Sequence, residues 1–168
     1  MQISVYNTAS TTAIRGLSNF DAILDKAAAS AEARKFDPAI LLNARLAPDM
    51  FTFTRQIQIA CDFGKGMIAR LAGVENPKFE DNEASIADLK ARIAKTLEFV
   101  RSVPEAAFAG AEDRDITIQA GPQTFEFKGL AYLVGFAIPN FNFHLTTAYA
   151  ILRHNGVEIG KRDYIGGA

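Results

Sequence analysis

The chain has 168 residues, and we expect a single domain over 1–168, because most domains contain 50 to 250 residues. Hydrophobic residues make up 49% and charged residues 22%, which is typical of a globular domain and excludes a disordered chain. Eighteen Lys and Arg against nineteen Asp and Glu leave a net charge of −1. We expect no nucleic-acid partner, because there is no basic excess to bind phosphates.

Residue counts also limit the possible metal and disulfide chemistry. The chain contains one cysteine, Cys61, and two histidines, His144 and His154. A disulfide within one chain and a three-histidine zinc site are therefore excluded. The first residues carry no signal-peptide pattern, and no apolar stretch is long enough to span a membrane. We expect a cytoplasmic protein with no membrane partner.

Helical periodicity begins near the N-terminus. Apolar and small residues recur mostly every three or four positions and predict a long helix over 4–33, although Gly16 weakens its middle. The sequence Phe36-Asp37-Pro38 predicts a stop and a restart. A short helical turn is expected to follow.

The second long helix is predicted over 49–72, where apolar residues follow a near-heptad pattern. We expect Asp49 to cap its first turn and Gly73 to end it. Residues 74–84 are acidic and rich in turn formers, which predicts the longest connection of the chain.

The third helix is predicted over 85–102. Ser85 is a good capping residue, and Asp88 three positions later partly matches a capping box, which prefers Glu or Gln there. The apolar residues repeat at helical spacing until Pro104, which ends the pattern.

A β-hairpin and a last helix complete the predicted fold. Alternating apolar residues on either side of Ala120-Gly121-Pro122-Gln123 predict strands near 115–119 and 124–128. A final helical region follows, with its main helix over 139–155, and we expect no helix in the glycine-rich tail. The sequence thus predicts an all-α four-helix bundle with a small hairpin before the last helix.

His144 is the first candidate functional residue. On a helix it shares an apolar face with Phe141 and Ala148, while Asn140 lies one turn before it. A histidine in this position is a metal ligand, an acid or base, or a hydrogen-bonded core residue. By contrast, His154 and Cys61 are expected to be structural, at a helix end and in the core respectively.

A polar row on the second helix is the other candidate. Its residues recur at spacings of three, four and three. One interpretation is a solvated, salt-bridged face, because the row lies away from the apolar stripe. In the other interpretation the row lines a cleft, and Gln58 and Asp62 contact a ligand. The row consists of Arg55, Gln58, Asp62 and Lys65.

Several strings occur together in this chain: LAPDMF at 46–51, Gln56-x-Gln58 followed by Asp62, NPKFEDNE at 76–83 and PNFNFHLTTAYAILRHNGVEIGKRDYIG at 139–166. Over nearly its whole length the chain resembles an uncharacterised bacterial family, the domain of unknown function numbered nineteen-ninety-three. That family is similar in turn to the DinB-like, or YfiT-like, four-helix bundles, which are regarded as metalloenzymes.

The DinB-like resemblance implies where a metal site would lie. Those proteins use one histidine of the second helix and an H-x-x-x-H pair of the last, and some transfer low-molecular-weight thiols. Here His144, nine residues before Arg153, matches the second histidine of the pair, and Asn140 replaces the first. The second helix contains no histidine, which leaves Asp62 or Gln58 as substitutes. The resemblance implies an incomplete site of His144, Asp62 and Asn140 that suits a weakly bound divalent metal ion.

Three functions remain open. The first is a small-molecule-binding bundle that has kept the cleft and lost the metal chemistry. The second is a metal-dependent enzyme, of thiol-transferase or hydrolase type, with an altered His/Asp/Asn site. The third is a structural or interaction dimer. For the first function, the residues expected to contact the ligand are Gln58, Asp62, Asn140 and His144.

The last helix carries more large apolar residues than one buried stripe needs. Because large apolar patches are uncommon on monomers, we expect a homodimer formed through this surplus. The alternative is that the hairpin covers the extra face within one chain. The residues in question are Phe136, Phe141, Phe143, Leu145, Tyr149 and Leu152.

Overall fold

The computed structural model describes residues 4–167, apart from the side chain of Ala120. It is mostly helical, with one two-stranded sheet, which confirms the predicted fold class. The helices are α1 (Val5–Ala33), α2 (Ala39–Asn43), α3 (Phe53–Ala72), α4 (Ile86–Ser102), α5 (Gly129–Tyr132), α6 (Ile138–His154) and α7 (Lys161–Ile165). The strands are β1 (Asp115–Ala120) and β2 (Gln123–Lys128), and a 3₁₀ turn covers Glu105–Phe108.

Hydroxyl side chains fix where three of the long helices begin. The hydroxyl oxygens of Ser4, Thr52 and Ser85 each accept a hydrogen bond from the backbone N–H three residues later. The Asp88 carboxylate accepts in return from the Ala84 N–H and the Ser85 hydroxyl. The reciprocal contact predicted at Ser85 is therefore present in a variant form, with Asp in the place of Glu and the Ala84 N–H in the place of the Ser85 N–H.

The start of α3 differs from the prediction. We expected the helix to begin at 49 with Asp49 as its cap, but it begins at Phe53 with Thr52 as the N-cap. Asp49 lies exposed in the preceding turn. Thr52 satisfies the free N–H of Arg55, which leaves Asp49 no capping role. The end is as predicted, because Gly73 adopts the left-handed conformation that ends a helix.

The last helical region runs from Gly129 to His154 with one irregular turn. A π-helical turn covers Leu133–Ala137 and ends two residues before Pro139. Proline has no N–H to donate and would clash with the carbonyl four residues earlier, which a regular helix would place at Gly135. The wider turn accommodates Pro139 without ending the helix.

The tail contains a short helix that we did not predict. Helix α7 forms because the Asp163 carboxylate accepts a hydrogen bond from the Gly160 N–H at 2.7 Å and thereby caps the turn. The segment is also held against α1, since Lys26 forms a 2.7 Å ion pair with Asp163 and Arg15 donates to the Ile165 carbonyl at 2.8 Å. Tertiary contacts therefore support a helix that local propensity disfavours.

Helix α3 lies at the centre of the bundle, packed against α4 and α6, while α1 packs across them. The bundle is tight where α1 crosses α6. A Cβ on Gly16 would lie 2.7 Å from the Phe141 ring, so glycine is required at this contact. The residue that weakens α1 locally thus permits its close packing. Within residues 4–167, no helix is long and apolar enough to cross a membrane.

The hairpin covers part of the apolar surplus of the last helical region. Strands β1 and β2 pair antiparallel within one residue of the predicted ends, and Ile116 pairs with Phe127. Phe125 and Phe127 pack on Phe136, with ring centroids 6.1 and 5.3 Å apart. Of the six large apolar residues, Phe143 alone is exposed, at 57%; the others are buried or half-buried.

The homodimer stays a prediction, and Phe143 is the residue that tests it. We expect light scattering to give the mass of two 18.2 kDa chains, and Phe143→Ser to shift the protein towards the monomer. Measurement over a tenfold dilution decides the point. The mass of one chain at every concentration would contradict the dimer.

Candidate functional site

His144 is buried against α3, where it meets a side chain that the site prediction left out. Its Nδ1 lies 2.7 Å from Oε1 of Gln56, and the two residues are 8% and 1% exposed. Gln56 lies one turn into α3 and faces α6, which positions its amide beside the His144 ring. The structure therefore contains the hydrogen-bonded core histidine that was one of the sequence-based alternatives.

The hydrogen bonds of Gln56 define which nitrogen of His144 carries the proton. The Gln56 Nε2 donates to the Phe51 carbonyl, so its Oε1 faces the ring and accepts. Nδ1 of His144 must then be the donor. Nε2, the second ring nitrogen, keeps its lone pair and has no hydrogen-bond partner within the described residues.

Burial keeps the His144 ring neutral. Removal from water lowers its pKa from 6.5 to about 4, and the positive charge of Arg55 contributes in the same direction. A ring with this pKa is uncharged at neutral pH. His144 is therefore a neutral hydrogen-bond acceptor rather than a cation.

Aromatic rings surround the His144 imidazole. Phe63 of α3 stacks on it at 5.9 Å between centroids, and Phe143 meets it edge-on at 5.3 Å. Phe136 lies 5.9 Å from Phe63 and links this group to the hairpin aromatics. Phe63 is half-buried and Phe143 exposed, so the group opens to the surface.

The opposite side of α3 faces residues 74–84, which we call the strap. The strap has no regular secondary structure. Gln58 of α3 donates to the Glu83 carboxylate at 2.7 Å, and Arg55 pairs with Asp81. Gln56 and Gln58 are two residues apart, about 200° around the helix, which explains why one contacts α6 and the other the strap.

Arg92 of α4 is the centre of the strap contacts. Its side chain is only 2% exposed and forms ion pairs with Asp62, Asp81 and Glu83 at 2.8 to 3.1 Å. Burial opposes its charge, but the hydrogen bond to Glu83 and the carboxylate charges outweigh burial and raise its pKa. Its guanidinium also lies over the Phe79 ring at 5.7 Å.

The polar row of α3 is salt-bridged, as one interpretation expected, but only half of it is solvated, because the Arg55 and Asp62 side chains are each 38% exposed. Gln58 and Lys65 are each 5% exposed, and Asp62 pairs with Lys65 as well as Arg92, at 3.1 Å in both cases. The strap covers Gln58 and Lys65, through Glu83 and Phe79 respectively. Both the Asp62–Lys65 pair within the row and the contacts with the strap account for its polarity.

The four predicted ligand-binding residues belong to two groups. Gln58 and Asp62 lie in the Arg92 network, whereas His144 bonds to Gln56, and Asn140 donates from its amide to the Phe136 carbonyl at 2.7 Å. No hydrogen bond joins one group to the other among residues 4–167.

These residues do not fit a metal centre as they stand. The Asp62 carboxylate, which would supply the negative charge, is already neutralised by two cations. No group of three or more His, Cys, Asp or Glu in the described part of the chain is arranged to hold a metal ion. A weakly bound divalent ion at His144, Asp62 and Asn140 stays a prediction.

Sequence reasoning missed Gln56 and Arg92 as site residues. Each interrupts an apolar stripe: Gln56 lies between Phe53 and Ile57, and Arg92 directly precedes Ile93. A polar residue inside such a stripe is the signal that could have identified both, because buried polar groups require partners. Cys61 is as expected, fully buried, and burial raises its pKa to about 12.

Removal of the Arg92 charge tests how strongly the strap is held. We expect Arg92→Ala to lower the free energy of unfolding by about 3–5 kcal/mol, because it leaves carboxylates without their buried partner. Arg101→Ala, at an exposed position of the same helix, is the control and should change it by less than about 0.5 kcal/mol. Urea unfolding measures both. Equal losses in the two variants would contradict a special role for Arg92.

The lowered pKa of His144 makes stability depend on pH. Between its folded value of about 4 and the ordinary 6.5, the unfolded chain binds more protons, so acid favours unfolding. We expect the free energy of unfolding of the wild type to fall by about 2 kcal/mol between about pH 7 and pH 5. In His144→Gln this fall should be absent. His154→Gln, at the exposed helix end, should keep it. A wild-type slope in His144→Gln would disprove the assignment.

Comparison with known proteins agrees with this architecture. A crystal structure of a DinB family member protein from Shewanella denitrificans is similar to the chain with a TM-score of 0.91 and 45% sequence identity. The match covers 97% of this chain and 92% of that one. No curated protein matches. The model of the domain of unknown function DUF1993 matches residues 5–165, and the chain therefore belongs to the DUF1993 family.

Proposed function

We propose that the protein binds a small organic molecule beside His144, in the aromatic group formed with Phe63 and Phe143. The observation that carries this proposal is the tautomer of His144, which is fixed by its hydrogen bond to Gln56. Its Nδ1 is bound to Gln56, and its Nε2 keeps a lone pair without a partner in residues 4–167. A neutral acceptor held rigidly among aromatic rings selects a flat ligand with one hydrogen-bond donor.

The pKa of His144 favours binding over acid–base catalysis. A general base works best when its pKa is near the operating pH. At about 4, the His144 pKa is too low for effective proton abstraction near neutral pH. A low pKa does not impair acceptance of a hydrogen bond from a neutral donor, which is the role that we assign to Nε2.

The surroundings supply the apolar part of a binding site. Phe63 stacks on the His144 ring, and exposed Phe143 stands at right angles to it. Offset and edge-to-face contacts of this kind also suit an aromatic ligand. Asn140 lies one turn before His144 and is half-buried, and its amide nitrogen already donates to the Phe136 carbonyl.

A metal-dependent enzyme is the second candidate, and one observation favours it. Metal-bound histidines commonly donate their other N–H to an oxygen acceptor, which is what Nδ1 of His144 does to Gln56. Such a site also needs a carboxylate ligand, but Asp62 is already paired with Arg92 and Lys65. A metal-dependent enzyme would therefore require Asp62 to leave its ion pairs with Arg92 and Lys65.

Phenol and anisole provide the test of the proposed function. Both have a flat ring, but anisole lacks the hydroxyl donor. In ¹⁵N-labelled protein, we expect phenol to shift the Nε2 resonance of His144 saturably and anisole to bind at least about fivefold more weakly, the loss of one hydrogen bond. His144→Phe should abolish the difference between the two compounds.

The controls separate this site from non-specific binding. His154→Gln should bind phenol as the wild type does, because His154 is exposed at the end of α6. Equal affinity for phenol and anisole, or no effect on His144 Nε2, would disprove the proposal. Zinc chloride titrated in the same experiment addresses the second candidate, which requires Nε2 to shift at one equivalent and Asp62→Asn to prevent it.

A further inference from the structure

Arg55 stands between the two polar groups of the structure. It is the neighbour of Gln56 in α3, and its guanidinium donates to Gln58 Oε1 at 3.1 Å and pairs with Asp81 of the strap. Its side chain is 38% exposed. The charge of Arg55 also acts on the His144 ring, where it disfavours protonation. A cation therefore lies at the edge of the proposed binding site.

The pairing of Arg55 with Asp81 is a replaceable contact. The Asp81 side chain is 40% exposed and is shared with Arg92, at 3.0 Å. Ion pairs between partly exposed groups contribute little to stability. Arg92, by contrast, keeps Asp62 and Glu83 if Asp81 moves away. Another carboxylate can thus displace Asp81 from Arg55 without loss of the buried network.

Helical spacing orders the groups beside His144. Arg55, Ile59 and Phe63 recur every four residues, so they form one row along α3, with Arg55 at one end. All three are half-buried, and Phe63 stacks on His144. The row presents a cation, an aliphatic side chain and an aromatic ring in sequence. A ligand that lies along it needs an anionic end and an apolar body.

We infer that the ligand is a small hydroxylated aromatic carboxylic acid, whose carboxylate binds Arg55 while its hydroxyl donates to Nε2 of His144. The Asp81 carboxylate, which pairs with Arg55, takes the same place as the ligand carboxylate. This inference rests on the proposed function and adds to it the charge of the ligand. The strap then competes with the ligand for one guanidinium, which links the strap to the site.

Meta- and para-hydroxybenzoate are the probes, with phenol as the uncharged reference. We expect Asp81→Asn to bind the better hydroxybenzoate about two- to fivefold more tightly, because the competing charge is gone. Arg55→Gln should weaken it about tenfold. Arg55→Lys, which keeps the charge but not the planar fork, should lie between Arg55→Gln and the wild type. Calorimetry or ¹⁵N titration gives the dissociation constants.

Glu80→Gln is the matched control for charge alone. Glu80 lies in the same strap beside Asp81, but its carboxylate forms no ion pair within the described residues. This variant should bind hydroxybenzoate within about twofold of the wild type, and phenol affinity should stay constant in every strap variant. Thermal melts show whether each variant is folded.

The outcomes separate the two proposals. If phenol binds at His144 but hydroxybenzoate affinity is the same in wild type, Asp81→Asn and Arg55→Gln, the carboxylate inference is wrong and the proposed function stands. If Glu80→Gln matches Asp81→Asn, the gain reflects net charge, and competition at Arg55 is disproved. If neither phenol nor hydroxybenzoate affects His144, both proposals fail.

Discussion

The buried charge of Arg92 is the constraint on which one half of the molecule depends. A guanidinium that is almost fully removed from water must be neutralised by carboxylates at hydrogen-bond distance. Asp62 of α3 supplies one of these carboxylates, and Asp81 and Glu83 of the strap supply the other two. A connection without regular secondary structure is thereby held against α3 and α4.

On the other side of α3, a buried titratable group is kept uncharged instead of being paired with opposite charges. His144 has a single hydrogen-bonded neighbour, Gln56, and no carboxylate partner among the described residues, so burial leaves it neutral. Helix α3 thus contributes to a fully charged network through Asp62 and holds an uncharged acceptor through Gln56. Arg55 is the side chain that belongs to both, because it pairs with Asp81 while its charge acts on His144. This arrangement is what makes a link between strap and site physically reasonable.

Much of the fold could be predicted because local signals agree with the tertiary structure. Apolar periodicity, the Ser85 cap, the Gly73 stop and the hairpin pattern each depend on neighbours in sequence. The start of α3 was missed because two capping residues, Asp49 and Thr52, compete and local preference does not rank them. Helix α7 was missed because contacts with α1, a distant segment, support it.

The sequence by itself determined a four-helix bundle with a hairpin, its family resemblance, and His144 as a residue on an inward face. Only the tertiary structure decided the partners. Gln56 meets His144 across 88 positions of sequence, and Asp62 meets Arg92 across 30, distances over which residue type carries no information about contact. Whether a polar side chain on a helix is solvated, paired or free to bind depends on what packs against it. That is settled by chain segments far away in sequence.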